Sequence, residues 1–198
     1  MNNIYLNAFL FFLTLSFAQA SASEIEERKK SDVESLEKMI ELVKSVERNG
    51  GKGVKAVPFK ETNRQYSITW IHSKGYGKDD MPPTHMAQVN PSSSGGASIA
   101  FKIQKNCSVA GGSEGNLANR VIRVDGQNIN SLVGCGPDSS NPKKNWEVYL
   151  LNTDAGMKYV YRRFANKHYV FVDFGNGDIP FDTIGFMDAW NRADSPAL

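Results

Sequence analysis

The feature that most constrains this 198-residue chain is an apolar run near its start, from Ala8 to Phe17. A run of about ten residues is too short to cross the roughly 30 Å of a membrane's hydrocarbon core. Small residues follow it in the spacing Ala18-x-Ala20 and Ala20-x-Ala22, which is typical of a cleaved export signal. We therefore expect residues 1–22 to be a signal peptide, with cleavage after Ala20 or Ala22.

Export predicts a protein of the periplasm or of the extracellular space, where conditions are oxidising and ATP is absent. That environment excludes kinases and P-loop enzymes. A formal net charge of +2, with no block of Lys and Arg among aromatic residues, also argues against nucleic-acid binding. After removal of the signal, the chain has the length of one ordinary domain with its own hydrophobic core.

Two cysteines, Cys107 and Cys135, are present, and in an exported protein we expect them to form a disulfide with each other. A catalytic or redox thiol is the alternative. It is poorly supported, because the chain has neither a Cys-x-x-Cys motif nor a cysteine close in sequence to a histidine.

A charged amphipathic helix is predicted over residues 23–50. Its apolar residues recur in steps of three and four. Ser31 and Glu34 form a capping-box pattern and Asn49-Gly50 is a stop, so the clearest part spans Asp32 to Arg48. We expect the stripe to pack on the protein's own domain, and a short coiled coil with a partner is the alternative. The stripe consists of Val33, Leu36, Ile40, Val43 and Val46.

Residues 54–198 are predicted to form a single antiparallel β-sandwich domain. Short runs rich in β-branched and aromatic residues alternate with stretches rich in Pro, Gly and Ser, which is typical of strands joined by surface loops. The candidate strands are 66–72, 98–103, 120–124, 146–150, 168–174 and 179–181.

Two short helices are predicted near the end of this domain. Thr153 can cap the first, whose residues Met157, Val160, Tyr161 and Phe164 share one face. The second follows a hairpin at 175–177. Asp182 is its predicted cap, and its inward residues are Phe186, Met187 and Trp190.

The stretch from Trp70 to Trp190 resembles small exported bacterial β-sandwich proteins of the invasion-associated locus B type, and a related group of type VI secretion accessory proteins. The likeness consists of a Trp-bearing strand, the run 101–103 leading to a Cys, the run 121–126, an amphipathic helix and the closing phrase 181–190. Known members are surface-associated or secretion accessory factors without an established catalytic site. The resemblance therefore implies a virulence- or secretion-associated protein, and no binding residues can be transferred from it.

Residues capable of chemistry are scattered. His72, His85 and His168 have no metal-ligand spacing, and a three-histidine site assembled by the fold is the less favoured alternative. Asp79-Asp80 could bind calcium or act as an acid–base pair, but adjacent side chains point apart. The stretch 173–178 superficially resembles a calcium loop and fits a hairpin turn better. We predict no catalytic residue, no cofactor and no metal.

Three functions remain compatible with the sequence. The favoured one is an exported, non-catalytic accessory protein that binds another envelope or secreted protein. The second is a periplasmic inhibitor or immunity protein that blocks a hydrolase, with the loop 92–96 as a projection into the partner's cleft. The third is a small exported hydrolase that uses Asp and His residues brought together by the fold.

Overall fold

The computed structural model describes residues 3–48, 53–62, 66–72, 84–92, 95–104, 107, 117–138 and 141–194, with the helix alone described for residues 3–22. It contains four helices and nine strands in those ranges. The helices are α1 (Asn3–Arg48), α2 (Phe59–Thr62), α3 (Asp154–Asn166) and α4 (Phe186–Asp194). The strands are β1 (Gly53–Val57), β2 (Tyr66–His72), β3 (His85–Pro91), β4 (Ala97–Gln104), β5 (Ala118–Val124), β6 (Gln127–Asp138), β7 (Asn141–Leu151), β8 (Tyr169–Asp173) and β9 (Asp178–Asp182).

All nine strands belong to one antiparallel sheet, in the order β1-β2-β3-β4-β7-β6-β5-β8-β9. The sheet curls until its ends meet, because β9 contacts both β1 and β2. The Thr69 hydroxyl on β2 donates a hydrogen bond to the Pro180 carbonyl on β9 at this closure. The prediction of a mainly antiparallel β fold is confirmed. The sandwich is not, since the strands share one sheet that approaches a barrel.

The core lies on the concave side of this sheet. Phe101 and Phe181 from the strands meet Phe59, Phe164 and Phe186 from the three short helices, and each of these rings is almost wholly buried. Centroids of neighbouring rings in the group lie 5.3–6.3 Å apart. The helices therefore fill the interior that a second sheet would fill in a sandwich.

Helix α1 extends well beyond the predicted start. The helix runs without interruption from Asn3 to Arg48, so Ser31 lies inside it and the capping-box prediction is wrong. Residues 24–30, just before Ser31, are mostly Glu, Arg and Lys, which are strong helix formers, and none of them ends a helix. The helix is described as far as Arg48, and the signal peptide at 1–22 remains a prediction.

The two C-terminal helices form as predicted, but α4 begins at Phe186, so Asp182, which lies in β9, is not its cap. Thr153 caps α3 by accepting a hydrogen bond from the backbone N–H of Gly156 at 3.1 Å. In α4, Phe186 is buried, whereas Met187 is 36% exposed and does not point inward as predicted. Gly185 precedes α4 with a φ of +83°, and a Cβ there would lie 2.7 Å from the backbone nitrogen of Lys60. Glycine is therefore needed where α2 meets this turn.

Candidate functional site

Helix α1 presents an apolar stripe to solvent. The side chains of Ile25, Val33 and Ile40 are each more than half exposed, and Leu36 is 38% exposed. Val33, Leu36 and Ile40 are separated by three and four residues, so they lie on one face of the helix. The expectation that this stripe packs on the protein's own domain is therefore wrong for these residues. An exposed apolar row of this kind is typical of a surface that contacts another molecule.

A polar face of α1 makes the contact with the sheet instead. The Asp32 carboxylate accepts a hydrogen bond from the backbone N–H of His168 at 2.6 Å, and the Ser35 hydroxyl accepts one from Tyr169 at 3.4 Å. Ser35 is 2% exposed. Lys38 forms an ion pair with Asp178 at 2.7 Å and lies 4.3 Å from the centre of the Phe171 ring.

The polar contact between α1 and β8 is explained by the incomplete pairing of β8 with β5. The ladder between β5 and β8 joins only the last part of β8, where Val172 and Asp173 pair with Val124 and Arg123. Backbone N–H groups near the start of β8 therefore need acceptors other than β5. Side chains of α1 supply two of them, which fixes the rotation of the helix and turns its apolar stripe away from the sheet.

A groove with a volume of about 510 Å³ separates α1 from the turn that precedes α4. It brings together His168 and two carboxylates, Asp32 and Asp188, with the cations Arg28 and Lys29. A pocket holding His and Asp is the feature that the hydrolase hypothesis requires. However, the Asp32 carboxylate is bound to the backbone of His168, so its observed role is to hold α1 in place.

Lys167, which lines this groove, is paired with a buried carboxylate, that of Asp125 in the turn between β5 and β6. Its Oδ2 lies 2.8 Å from Arg163 Nε and 3.2 Å from Lys167 Nζ, and its Oδ1 accepts from Phe171 N–H at 3.1 Å. The Asp125 and Lys167 side chains are 5% and 9% exposed. Asp125 has a φ of 47° and precedes Gly126 at 85°. The Asp-Gly pair between two strands was the available sequence signal for this hairpin turn.

A second site lies at the open end of the curled sheet, where a cavity of about 50 Å³ is lined by His85, Glu147, Tyr149, Phe174 and others. The Tyr149 hydroxyl donates to Glu147 Oε2 at 2.9 Å. The Phe174 ring lies 5.0 Å from that of Tyr149 and stacks on His85 at 6.2 Å. Burial raises the pKa of Tyr149, and the hydrogen bond and charge of Glu147 raise it further, so the phenol stays protonated.

Of the three histidines considered as candidate site residues, His85 is the one in the described part of the chain that both lines a cavity and has a shifted pKa. Burial lowers the pKa of His85 from 6.5 to about 4, so the ring is neutral at pH 7. The Thr84 hydroxyl, which also donates to the Thr69 carbonyl at 3.3 Å, lies 2.8 Å from His85 Nδ1. Because that hydroxyl donates to the carbonyl, we assign the His85 proton to Nδ1, which leaves the lone pair on Nε2.

We expect the stability of the protein to fall in mild acid because of His85. An unfolded chain protonates this ring near pH 6.5, whereas the folded protein resists protonation down to about pH 4. Between pH 7 and pH 4.5 the difference should cost about 2 kcal/mol of unfolding free energy. Urea unfolding at both pH values should therefore show a smaller pH-dependent loss in His85→Gln than in the wild type. An equal loss in the two proteins would contradict the assignment.

The other residues singled out in the sequence lie away from these two sites or outside the described residues. Cys107 and Cys135 form the expected disulfide, with their Cα atoms 5.9 Å apart. The Asp173 carboxylate accepts from the backbone N–H groups of Gly175 and Gly177, at 2.7 and 3.0 Å, which confirms the hairpin at 175–177. His72 lies in β2, with its side chain outside the description. Asp79 and Asp80 lie outside the described residues.

Within the described ranges, no group of three or more His, Cys, Asp or Glu side chains could hold a metal ion. In the same part of the chain, no helix combines the length and apolar character needed to cross a membrane.

Comparison of the chain with protein families, with curated proteins and with solved structures gave no match.

Proposed function

We propose that this chain is an exported, non-catalytic accessory protein of the periplasm or cell surface, which binds another protein through the exposed stripe of α1. One observation carries the proposal. The helix attaches to its own sheet by polar side chains, while Ile25, Val33, Leu36 and Ile40 face solvent. This is the reverse of the arrangement in an ordinary surface helix, where the apolar stripe covers the core.

The stripe fits a helix of a partner protein. Val33, Leu36 and Ile40 span two helical turns, a length suited to the contact between two crossing helices. The charges beside the stripe have both signs, with Lys29 and Lys30 lying among acidic residues. A partner helix with an apolar seam flanked by charges of both signs would complement this face. The acidic residues are Glu26, Glu34 and Glu37.

Sequence features support the compartment that this proposal requires. The apolar run and small-residue spacing of residues 1–22 are typical of export, and the Cys107–Cys135 disulfide is typical of proteins outside the cytosol. The resemblance to invasion-associated locus B proteins and type VI secretion accessory proteins adds a link to virulence or secretion.

The inhibitor alternative depends on a projecting loop at 92–96. At the two ends of this loop, Gly95 N–H donates to the Ser92 carbonyl at 3.0 Å and Ser92 N–H donates to the Gly96 carbonyl at 2.9 Å. Residues 93 and 94 lie outside the described residues, so projection of the loop into a cleft stays a prediction.

The test is to identify the partner by affinity capture from the native envelope, and then to measure its affinity for the wild type and for Val33→Ser/Ile40→Ser. In the complex both apolar side chains would be buried against the partner, so their loss should weaken binding by at least about thirtyfold. Both side chains are exposed, so the free protein should keep its stability.

Val121→Ser is the matched control, because Val121 is 58% exposed on β5, away from α1. It should bind the partner as the wild type does. Full binding by the double variant, or equal loss in the Val121 control, would overturn the proposal. Concentration-dependent dimerisation that the double variant abolishes would instead assign the stripe to a second copy of this chain.

A further inference from the structure

Another groove, also of about 510 Å³, lies between α1 and α3. Each helix lines this groove with side chains three and four residues apart, so one face of each helix forms a wall. Because successive residues of a helix are rotated by about 100°, the face that carries Glu24 and Arg28 is opposite to Val33 and Ile40 of the stripe. The charged lining residues are Glu24, Glu27 and Arg28 on α1, and Arg162, Arg163 and Lys167 at α3.

Cations dominate the α3 wall. Arg163 and Lys167 are both paired with the buried carboxylate of Asp125, so these three side chains together keep a net charge of +1. Arg162 is exposed, and it has no ion pair in the described ranges. The wall therefore attracts an anion, chiefly through the guanidinium of Arg162.

The α1 wall carries both signs of charge. Glu24 and Glu27 are exposed carboxylates one turn apart, followed by Arg28. None of these three has an ion pair in the part of the chain that the structure describes, although Arg162 lies across the groove. Arg28 also lines the neighbouring groove beside α4, whereas Glu24 and Glu27 do not. The groove is therefore acidic at one end and basic at the other.

Both helices are held in place by contacts outside this groove. Asp32 ties α1 to the backbone of His168, which follows α3, at 2.6 Å. Asp125 ties Arg163 of α3 to the turn between β5 and β6 at 2.8 Å. The groove is preformed, and the charges of Glu24, Glu27, Arg28 and Arg162 remain available to a ligand.

The spacing of these charges limits the ligand. Four residues of helix separate Glu24 from Arg28, which is a rise of about 6 Å. Two residues of extended peptide span about 7 Å. A dipeptide with free ends can therefore place its ammonium at the acidic end and its carboxylate at the basic end. The volume of about 510 Å³ lies within the range of small-molecule pockets and leaves room for both of its side chains.

We propose that this groove binds a short zwitterionic peptide, with the ligand's ammonium at Glu24 and Glu27 and its carboxylate between Arg28 and Arg162. The proposal is independent of partner binding by the stripe, which lies on the opposite face of α1.

Titration of the isotopically labelled protein with the dipeptide Ala-Ala, followed by NMR of the backbone amides, tests it. Amide signals of residues 24–31 and 159–167 should shift saturably, with a Kd in the millimolar range because exposed ion pairs contribute little to affinity. N-acetyl-Ala-Ala lacks the ammonium and Ala-Ala amide lacks the carboxylate, so each should bind at least fivefold more weakly. Free alanine, whose two charges are too close together, should also bind more weakly.

Two double variants assign the ends of the ligand. Glu24→Gln/Glu27→Gln should abolish the preference for Ala-Ala over its N-acetyl form and keep the preference over the amide. Arg28→Gln/Arg162→Gln should do the reverse. All four side chains are exposed, so both variants should fold.

Matched controls are Glu34→Gln and Lys158→Gln, which remove exposed charges of the same two helices outside the groove. Both should bind Ala-Ala as the wild type does, and so should the stripe variant Val33→Ser/Ile40→Ser. No saturable shift in the wild type, equal affinity for Ala-Ala and its two blocked forms, or preferences unchanged by the double variants would overturn the proposal. Loss of partner binding alone would leave it standing, because the stripe takes no part in this groove.

Discussion

Replacement of Asp125 by alanine is expected to lower the free energy of unfolding by about 3–5 kcal/mol. The Asp125 carboxylate is almost fully buried and is shared by Arg163 and Lys167 of the α3 region and by the backbone N–H of Phe171. Its removal leaves two cations beside each other with no anion between them, and one backbone donor without its acceptor. The wild type and the variant should be compared by urea unfolding monitored through tryptophan fluorescence.

Two further variants show whether the charge or the hydrogen bond dominates. Asp125→Asn keeps an oxygen acceptor for Phe171 and tolerates the φ of 47°, so it should cost less than alanine. Arg123→Gln breaks the exposed Arg123–Asp173 pair, whose atoms are 2.7 Å apart, and should cost less than about 1 kcal/mol. A loss of less than 1 kcal/mol in Asp125→Ala would show that the ion-pair network adds little stability.

Loss of the disulfide is expected to lower the free energy of unfolding by about 3–4 kcal/mol, because the bridge closes a long loop in the unfolded chain. Cys107 follows β4 and Cys135 lies in β6, 28 residues later in sequence. The strand β7 lies between β4 and β6 in the sheet, so the bridge joins β6 to a segment that follows a strand with which β6 is not paired. Asn145 of β7 donates to the Cys107 carbonyl at 2.8 Å, which ties the same three segments together.

The measurement has two parts. Thiol titration of the denatured, unreduced protein should find essentially no free thiol. Unfolding of Cys107→Ser/Cys135→Ser should then show the loss of stability, with the Val121→Ser variant as a control for a surface change. Two reactive thiols per chain, or equal stability with and without the bridge, would contradict this prediction.

Local patterns predicted the elements that depend on neighbouring residues. In α3, the cap at Thr153 and the buried positions Val160 and Phe164 follow directly from helical spacing. The Gly-Asn-Gly turn identified the hairpin between β8 and β9 in the same way. Such elements bury one face and satisfy their hydrogen bonds within a few residues, so the pattern is visible in a short window of sequence.

Strands β1, β3 and β6 were not predicted, because their residues lack the run of β-branched and aromatic side chains that marks the other strands. The central strand β6 contains Asn, Ser, Gly and Pro, residues with low preference for strands, and it is held by β5 on one side and β7 on the other. Its inward residues, Ile129, Ser131 and Val133, are buried only because the sheet curls around them. Tertiary pairing therefore overrode local propensity.

The candidate sites also contain some features that local sequence determines and others that depend on tertiary structure. The sequence by itself determined the pairing of Cys107 with Cys135, the helical character of 32–48 and the stripe on that helix, because each depends on residue type and short spacing. Only the tertiary structure decided that the stripe faces solvent, since the rotation of α1 follows from acceptors that the start of β8 requires. It also decided that His85 meets Glu147, Tyr149 and Phe174 in one cavity. His85 and Glu147 are neighbours because β3, β4 and β7 are adjacent in the sheet, and Phe174, which follows β8, reaches them because the same sheet curls until its ends meet.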